Sequence, residues 1–518
     1  MKKLFMAVAA LAALGAEAKV TMGTPFADGM VLQRGRNVPV WGWANPGAAV
    51  TVTFAGQKLK TSADKDGRWR VDLAPMDACK AGRTLVVSAW NSSNARWTNM
   101  WGVFATQPKD DIVELSDVLV GEVWYCCGQS NTELPLVGGS PRFRDRQGAM
   151  VAQMTRRPYV RFAYCSNYKM AAAPRQRAAY KVEWKKFTPE SLAGGKSFSA
   201  MGVYYALELY AALEIPIGIV GSYWGGTRAE PWTPREGFAA TKGCEPEAAY
   251  QPVVNGFKPE MAKSLSYASS ATRQPMVLWN EMVAPWTPFA MRGFIWYQGC
   301  SNADQHERYA TIMHALYNGW SKCFENPDLK LYFVQLAPWG RDTIPYIQQA
   351  QARFAAEEKN AAMAVINDIG NLADIHPNEK ELVAKRLALH ALKRDYGYTN
   401  IEDESPTLKE WKIEGDKFVM TFNHAKGFYV YNPDRSLANG FEIAGEDGKF
   451  VPAKIVNAVA TKRDGRTTYN GSLEGAKIVV AAEGVAAPKK LRYLYSRPWF
   501  GSIYNEVNLP LGSFHIGD

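Results

Sequence analysis

A serine that can act as a nucleophile follows directly after a run of apolar residues. Residues 118–125 are rich in valine, and the chain then continues as Gly128-Gln129-Ser130-Asn131. Such a run predicts a buried strand, and open α/β sheets place their chemistry at the carboxyl ends of their strands. The segment lacks the second glycine of the Gly-x-Ser-x-Gly elbow, which argues against an ordinary α/β-hydrolase.

Three more polar segments lie where predicted strands end or helices begin: Ser222–Thr227, Trp296–Asn302 and Asp374–Pro377. The carboxyl ends of parallel strands meet at one edge of a sheet, so all four segments can converge there. A serine nucleophile needs a histidine base, a group to hold the other imidazole nitrogen, and fixed donors for the oxyanion. The four segments contain all of these groups and therefore indicate acyl transfer through a serine.

The elements that must position these segments alternate between strands and helices from residue 116 to residue 404. The predicted strands are residues 118–125, 159–164, 217–222, 293–297, 329–335 and 362–366, and the predicted helices are residues 199–213, 310–323, 345–357 and 378–396. This order predicts a mainly parallel sheet covered on both faces. In the last helix Pro377 suits the first turn, and the four-residue spacing of Val383, Leu387 and Ala391 predicts a buried face.

Sequence typical of β-structure flanks this region on both sides. Short strand candidates separated by turns fill residues 19–115, and Arg68–Leu73 alternates with Trp69 and Val71 on one face. Residues 405–518 return to the same pattern. We therefore expect an N-terminal β-sandwich domain at 19–115, a catalytic domain at 116–404 and a C-terminal β-rich domain at 405–518.

The first 18 residues have the form of a signal peptide. Lys2 and Lys3 precede an apolar run that ends at Gly15, and Ala16-Glu17-Ala18 resembles a cleavage site. The run is too short to span a bilayer, and no later stretch is long enough either. We expect an exported protein, periplasmic or secreted.

Composition narrows the classes of function. An apolar share of 47% with 12% aromatic residues excludes a largely disordered chain. The formal charge of +10 comes from scattered basic residues without a long run, so we expect no nucleic acid partner. The seven cysteines form no Cys-x-x-Cys pair and no His-Glu-x-x-His motif occurs, so we expect neither a zinc site nor another cofactor.

The four segments together resemble the SGNH (GDSL-like) hydrolases, specifically the sialate O-acetylesterase family. The stretches that carry the resemblance are Val120–Trp124, Trp224–Thr227, Trp296–Gly299 and Asp374–Pro377, with Met30–Arg34 and Val40–Trp43 near the start and Asn505-Glu506 and Leu509-Pro510 near the end. The resemblance covers nearly the whole chain. It implies a three-layer α/β/α SGNH domain with a mainly parallel sheet, flanked by N-terminal and C-terminal β-sandwich-like domains.

The resemblance also implies the roles of individual residues. Ser130 is the nucleophile, His376 is the general base, and Gly225 and Asn302 complete the oxyanion hole with the Ser130 backbone N–H. The sequence does not separate Gly225 from its neighbour Gly226.

The carboxylate that orients His376 has two candidates. Asp374 is the natural one, although it lies two residues before the histidine rather than three, where Ala373 stands. Asp368 matches the resemblance as well. A Ser–His dyad supported by a backbone carbonyl is the third arrangement.

The chain departs from the family pattern at three positions near the site. Thr132 stands where methionine is usual, and Cys127 and Cys300 stand where serine and glutamate are common. If the segments converge, the two cysteines can approach within the roughly 5–6 Å between Cα atoms that a disulfide requires. Our hypothesis is a Cys127–Cys300 disulfide that joins the two loops, and the alternative is a pair of reduced buried thiols.

The resemblance implies O-acetylated sialic acids as substrates, and we expect substrate contacts from Gln129, Gln298 and Arg228. A guanidinium group suits the sialic acid carboxylate. The arginines that can supply it, or can simply lie at the surface, are Arg142, Arg144, Arg228 and Arg292. One alternative substrate is an acetylated plant polysaccharide such as xylan. A non-catalytic sugar-binding protein is a second alternative, which the intact serine, asparagine and histidine set disfavours.

Overall fold

The computed structural model describes residues 19–90, 111–138, 145–154, 156–165, 169–192, 198–254, 272–431, 440–463, 466–495 and 499–517. The predicted signal peptide, Arg142 and Arg144 lie outside these ranges. No helix in the described ranges is both long enough and apolar enough to cross a membrane.

In chain order the strands are β1 (Thr21–Met22), β2 (Val31–Gln33), β3 (Val38–Trp43), β4 (Ala49–Phe54), β5 (Gln57–Ser62), β6 (Arg68–Leu73), β7 (Cys79–Trp90), β8 (Asp111–Gly128), β9 (Arg157–Tyr164), β10 (Trp184–Phe187), β11 (Ile217–Tyr223), β12 (Gly293–Tyr297), β13 (Lys330–Val334), β14 (Ala361–Ala364), β15 (Thr407–Glu414), β16 (Lys417–Asn423), β17 (Phe428–Val430), β18 (Phe441–Ala444), β19 (Val451–Pro452), β20 (Lys454–Ile455), β21 (Ala458–Arg463), β22 (Arg466–Leu473), β23 (Lys477–Ala481), β24 (Lys490–Tyr493), β25 (Ile503–Asn505) and β26 (Phe514–Ile516). The α-helices are α1 (Ser130–Glu133), α2 (Gly148–Met154), α3 (Pro189–Leu192), α4 (Ala200–Leu213), α5 (Arg235–Ala239), α6 (Glu245–Ala249), α7 (His306–Cys323), α8 (Ile344–Glu357) and α9 (Lys380–Asp395).

A mainly parallel sheet forms the centre of the catalytic region. Its strand order is β10-β9-β11-β8-β12-β13-β14. All neighbours are parallel except the edge strand β10, which runs antiparallel to β9. The six predicted strands and the four predicted helices of this region are all present, with small shifts at their ends. The predicted fold class is confirmed.

Helices cover both faces of the sheet and complete the three layers. On one side α4 packs against α9, and elsewhere α7 packs against α5 and α8. Helix α4 starts where the Ser199 side chain accepts the Gly202 N–H at 3.2 Å. The predicted inner face of α9 is correct, because Val383, Leu387 and Ala391 are fully buried.

The start of α9 differs from the prediction. The helix begins at Lys380, with Glu379 at the N-cap, so Pro377 precedes the helix rather than occupying its first turn. The Lys380 N–H donates to Asp145 Oδ2 at 3.3 Å, a side-chain partner for a backbone group that lacks an acceptor within the helix.

Strand β8 joins the N-terminal β-structure to the catalytic sheet. Its first half pairs with β7, its middle with β2, and its last seven residues with β11 and β12. Strand β6 alternates as predicted, with Trp69 and Val71 buried. The predicted boundary between residues 115 and 116 falls within β8, and one continuous hydrophobic core extends from Val20 to Ala391.

The C-terminal region consists of short antiparallel strands around its own hydrophobic core. This core contains residues from Phe418 to Ile516. It contacts the segment that follows β14, because Asn367 Nδ2 donates to Leu511 O at 2.6 Å and the Gly501 N–H donates to Asn367 O at 2.9 Å. These bonds anchor the start of the loop that carries Asp374 and His376.

Candidate active site

The three strands that precede the polar segments end at the same height. Gly128 of β8 lies opposite Tyr223 of β11 on one side and opposite Tyr297 of β12 on the other. The backbone pairing continues past the strand ends, since the Gln129 N–H donates to Tyr297 O and the Trp224 N–H donates to Gly128 O, both at 3.1 Å. The predicted convergence of these segments at one sheet edge is therefore observed.

The turn that presents Ser130 needs a glycine at position 128. Gly128 has φ of 139°, and a Cβ there would lie 2.3 Å from Tyr297 O. Thr132 Oγ1 donates to the same carbonyl oxygen at 3.1 Å and holds the turn against β12. Ser130 is thereby placed at the first position of α1, half-buried beyond the edge of the sheet.

Ser130, His376 and Asp374 form a contiguous set. His376 Nε2 lies 2.9 Å from Ser130 Oγ, although the residues are 246 positions apart. On the other side of the ring, Nδ1 lies 3.3 Å from Asp374 Oδ1. The same oxygen accepts the backbone N–H of His376 at 3.0 Å. This is the arrangement in which an imidazole can take the hydroxyl proton while a carboxylate orients its ring.

The alternative carboxylate, Asp368, is engaged elsewhere. Both of its oxygens accept from the guanidinium of Arg386, at 2.6 and 2.7 Å, and both side chains are almost fully buried. A bidentate pair of this kind holds the carboxylate in a fixed orientation. The structure therefore brings Asp374, and not Asp368, to His376.

The surroundings of His376 favour its neutral form. Burial lowers the pKa of the imidazole, and the nearby Lys380 lowers it further, while Asp374 opposes both effects. A histidine with a lowered pKa carries less proton at neutral pH, and only the unprotonated ring can accept the serine proton. The lowered pKa thus favours the unprotonated imidazole of His376, the form that can act as a base, at neutral pH.

Gly225 lies against Ser130, whereas Gly226 does not. A Cβ added to Gly225 would lie 3.3 Å from Ser130 Cβ, but one added to Gly226 would meet open space. The Gly225 N–H donates to Glu133 Oε2 at 2.8 Å. The Gly225 N–H can therefore act as the predicted oxyanion donor only after its hydrogen bond to the Glu133 carboxylate is broken.

Asn302 is held firmly in the 3₁₀ turn Cys300–Gln305. Its Oδ1 accepts from Gln298 Nε2 at 2.7 Å and from the Ala229 N–H at 3.0 Å, and its Nδ2 donates to Glu230 Oε2 at 2.9 Å. A primary amide has two N–H donors, and one acceptor for them occurs among the described residues. The other N–H has no acceptor in the described part of the chain.

Residues 120–391 match the family described as carbohydrate esterase, sialic acid-specific acetylesterase. This chain belongs to that family. The Homo sapiens sialate O-acetylesterase is 28% identical over 488 residues, which cover 87% of this chain and 86% of that one. The Rattus norvegicus sialate O-acetylesterase is 27% identical over 477 residues, covering 82% of this chain and 83% of that one. A crystal structure of a carbohydrate acetylesterase from Xanthomonas citri is 29% identical and gives a TM-score of 0.76, covering 96% of this chain and all of that chain.

Family membership makes the protein a carboxylic ester hydrolase that acts on acetylated carbohydrate. The described residues of this esterase contain no group of three or more histidine, cysteine, aspartate or glutamate side chains that could hold a metal ion.

Two predicted substrate contacts are corrected by the structure. Gln298 is fully buried, its Nε2 donates to Thr227 O and Asn302 Oδ1, and its Oε1 accepts from the Tyr309 hydroxyl. Gln129 is 2% exposed, and its Oε1 accepts the Gly299 N–H at 3.1 Å. Both positions beside the sheet edge are closed to solvent. The two amides therefore bond to other loops of the esterase instead of facing a substrate.

The candidate arginines differ in position and in availability. Arg292 pairs with the buried Glu122 near the start of β12, at the opposite end of that strand from Asn302, which rules it out as a substrate contact. Arg228 is half-buried, with Nε donating to Ser301 O at 3.1 Å and Nη1 to Gln305 Oε1 at 2.9 Å. Its Nη2 has no acceptor in the described part of the esterase, so Arg228 stays a predicted substrate contact.

The hypothesised Cys127–Cys300 disulfide is wrong, because both residues are free thiols. Cys127 Sγ points to Ile295 O, 3.8 Å away on the neighbouring strand and five residues before Cys300. Burial raises the pKa of both thiols, but Lys380 and Arg341 oppose this effect at Cys300, whereas Cys126 and Cys165 add to it at Cys127. The two thiols thus lie in different surroundings.

Alkylation without reductant tests the state of these thiols. After unfolding, the peptides that contain Cys127 and Cys300 should each carry the alkyl group. In the native esterase both should react slowly, because they are buried and burial raises the pKa of each thiol, that of Cys300 to about 12. Mass spectrometry of the digest reports both states, and a cross-linked peptide would contradict the structure.

Sequence reasoning missed several residues that shape the site. Glu133 and Glu230 accept hydrogen bonds from Gly225 and Asn302, two of the three predicted oxyanion donors. Lys380 is buried beside Asn131, and its Nζ donates to Asn131 Oδ1 at 2.7 Å. The sequence contained one signal for Lys380 and Asn131, which is their closeness to the reactive residues. Lys380 lies four residues after His376, and Asn131 lies directly after Ser130.

Proposed function

We propose that this esterase removes O-acetyl groups from sialic acids through an acetyl-enzyme on Ser130. The observation that carries the proposal is the 2.9 Å contact between Ser130 Oγ and His376 Nε2, with Asp374 on the other side of the ring. A hydroxyl bonded to a neutral imidazole is an activated nucleophile.

The first half of the reaction transfers the acetyl group to the enzyme. Ser130 Oγ bonds to the acetyl carbonyl carbon while His376 Nε2 takes the hydroxyl proton, and the carbonyl oxygen becomes an oxyanion. When the tetrahedral intermediate collapses, the bond to the sugar oxygen breaks, and His376 returns its proton to that oxygen. The sugar leaves with a free hydroxyl.

The second half regenerates the serine. Water gives a proton to His376 Nε2 and bonds to the acetyl carbon, and the second tetrahedral intermediate collapses to acetate. Ser130 Oγ leaves with the proton from His376. Asp374 stabilises the imidazolium in both halves by its position 3.3 Å from Nδ1.

The oxyanion needs donors aimed at the place where its charge develops. The Ser130 N–H lies in the first turn of α1, where backbone N–H groups lack intrahelical acceptors. The second N–H of Asn302 Nδ2 is the side-chain donor. The Gly225 N–H joins them when Glu133 releases it.

Two features favour sialic acids as the substrate. The mammalian relatives described above are sialate O-acetylesterases. In addition, Arg228 has two nitrogens bonded to protein oxygens, and its Nη2 has no acceptor among the described residues, so this nitrogen is available to a carboxylate. We also propose export, which rests on the signal-peptide pattern of the first 18 residues.

Acetate release by the purified mature protein tests the proposal. We expect release from 9-O-acetylated sialic acid, no release from acetylated xylan oligosaccharide, and no release from either by Ser130→Ala. An Arg228→Gln variant should raise KM for the sialic acid and leave hydrolysis of an uncharged aryl acetate unchanged.

The alternatives predict different outcomes in the same assay. Serine-dependent release from xylan alone would retain the mechanism and refute the substrate. Inactivity toward both sugars and the aryl acetate would refute the enzyme and favour a sugar-binding protein.

A further inference from the structure

A buried ammonium group lies close to the reactive pair and takes no part in the proton transfers above. Lys380 is fully buried at the first position of α9. Its Nζ donates to Asn131 Oδ1 at 2.7 Å and lies 5.0 Å from the centre of the Tyr297 ring. No carboxylate in the described ranges lies within ion-pair distance of it. Burying an ammonium group without such a partner is costly, so its position calls for a functional reason.

Asn131 connects this ammonium group to both halves of the reactive pair. It is 1% exposed and follows Ser130 directly in α1. Its Nδ2 donates at 3.0 Å to the carbonyl oxygen of Ile375, the residue before His376. The Asn131 side chain therefore accepts a hydrogen bond from Lys380 and donates one to the loop that carries His376. Its backbone is joined directly to that of Ser130, the nucleophile.

We propose that Lys380 is a positioning residue that, through Asn131, fixes the distance between the Ser130 turn and the His376 loop. The proposal rests on the function assigned above to Ser130 and His376. Those two residues come from segments 246 positions apart, and the Asn131 bond to Ile375 joins the segments within one residue of each reactive side chain. A shift of about 1 Å between reacting groups can cost on the order of 100-fold in rate.

The charge of Lys380 has a second effect on the base. Burial lowers the pKa of Lys380 to about 7, against the attraction of Asp145, Cys300 and Glu379. Below that pH the ammonium form predominates, and its charge lowers the pKa of His376, which Asp374 raises from the other side. As the pH falls below 7, the charge on Lys380 thus opposes protonation of the catalytic histidine. The enzyme therefore keeps its activity to a lower pH than it would without this charge.

Two variants separate positioning from charge. Lys380→Met has a similar length without the donor or the charge, and Asn131→Ala removes the connection but keeps the ammonium group. The matched control is Lys385→Met on the same helix, where an exposed lysine pairs with Glu381. Each variant is assayed with an aryl acetate for kcat and KM between pH 4 and pH 9, and its fold is checked by circular dichroism and thermal melting.

We expect Lys380→Met and Asn131→Ala to lower kcat by about 10- to 100-fold with little change in KM. In Lys380→Met the acidic limb of the pH profile should also move to higher pH, because removing a nearby positive charge makes His376 easier to protonate. In Asn131→Ala the limb should move less than in Lys380→Met, because the lysine can still take up a proton as the pH falls, and Lys385→Met should match the unmodified enzyme throughout.

Unchanged kcat and an unmoved acidic limb in Lys380→Met would overturn the proposal. A loss of activity that only follows a loss of folded protein would overturn it too, since that is the result of a merely structural role. Failure of the proposed function is separate, because in that case the unmodified enzyme itself would lack Ser130-dependent hydrolysis of the aryl acetate.

Discussion

Ser130→Ala, His376→Ala and the double variant are each expected to lose turnover on the order of 10⁶-fold, and to nearly the same extent. The 2.9 Å contact makes the two side chains one unit, so removing either leaves the other without a function. The activity that remains comes from substrate binding and the oxyanion donors. The measurement is kcat for an aryl acetate and for 9-O-acetylated sialic acid, by acetate release.

His314→Ala is the control for the histidine change. His314 pairs with Glu357 at 2.9 Å between two surface helices, α7 and α8, outside the four converging segments. Its replacement should leave kcat unchanged. A double variant that loses far more than either single variant would show independent action of Ser130 and His376, and so would contradict the proposed mechanism.

Asp374→Asn is expected to lower kcat by about 10²- to 10⁴-fold while the protein stays folded. An asparagine can still accept the His376 backbone N–H, but it has no charge to stabilise the imidazolium and can favour the wrong tautomer. Because the Asp374 side chain is partly exposed, we expect solvent screening to reduce the effect. Steady-state kinetics measure the loss.

Asp368→Asn should give the opposite pattern. This change breaks a buried bidentate pair and leaves Arg386 without its counter-charge, which costs roughly 3–5 kcal/mol of folding free energy. The protein should unfold at lower urea concentration, while the folded fraction keeps its kcat. Loss of turnover in Asp368→Asn with retention in Asp374→Asn would reverse the assignment of the carboxylate.

Much of the fold could be predicted because it depends on local patterns. Buried strands of a parallel sheet read as apolar runs, and each predicted strand of the central sheet is one of these. The buried stripe of α9 follows from the four-residue spacing of Val383, Leu387 and Ala391. The convergence of the Ser130, Gly225 and Asn302 segments follows from strand direction alone, since parallel strands end at a common edge.

The errors concern side chains whose partners lie far along the chain. Gln129 and Gln298 were expected to face the substrate, but both side chains are buried at the sheet edge, where Gln129 bonds to Gly299 and Gln298 bonds to Thr227. Cys127 and Cys300 sit on converging segments, yet one thiol faces the neighbouring strand and the other is influenced by the charge of Lys380. Alternation of side chains along β8 decides the direction of Cys127, whereas Gln129, Gln298 and Cys300 lie beyond the strand ends, where no such alternation applies.

By itself the sequence determined the order of strands and helices, the family resemblance and the identity of the serine and histidine, because these depend on periodicity and on short segments. Only the tertiary structure placed Asp374 rather than Asp368 beside His376 and Gly225 rather than Gly226 beside Ser130, and only it revealed the Lys380–Asn131 connection. Both carboxylates lie within eight residues of His376. What separates them is Arg386, which α9 brings beside Asp368 across the fold, and a contact of that kind is set by packing rather than by spacing along the chain.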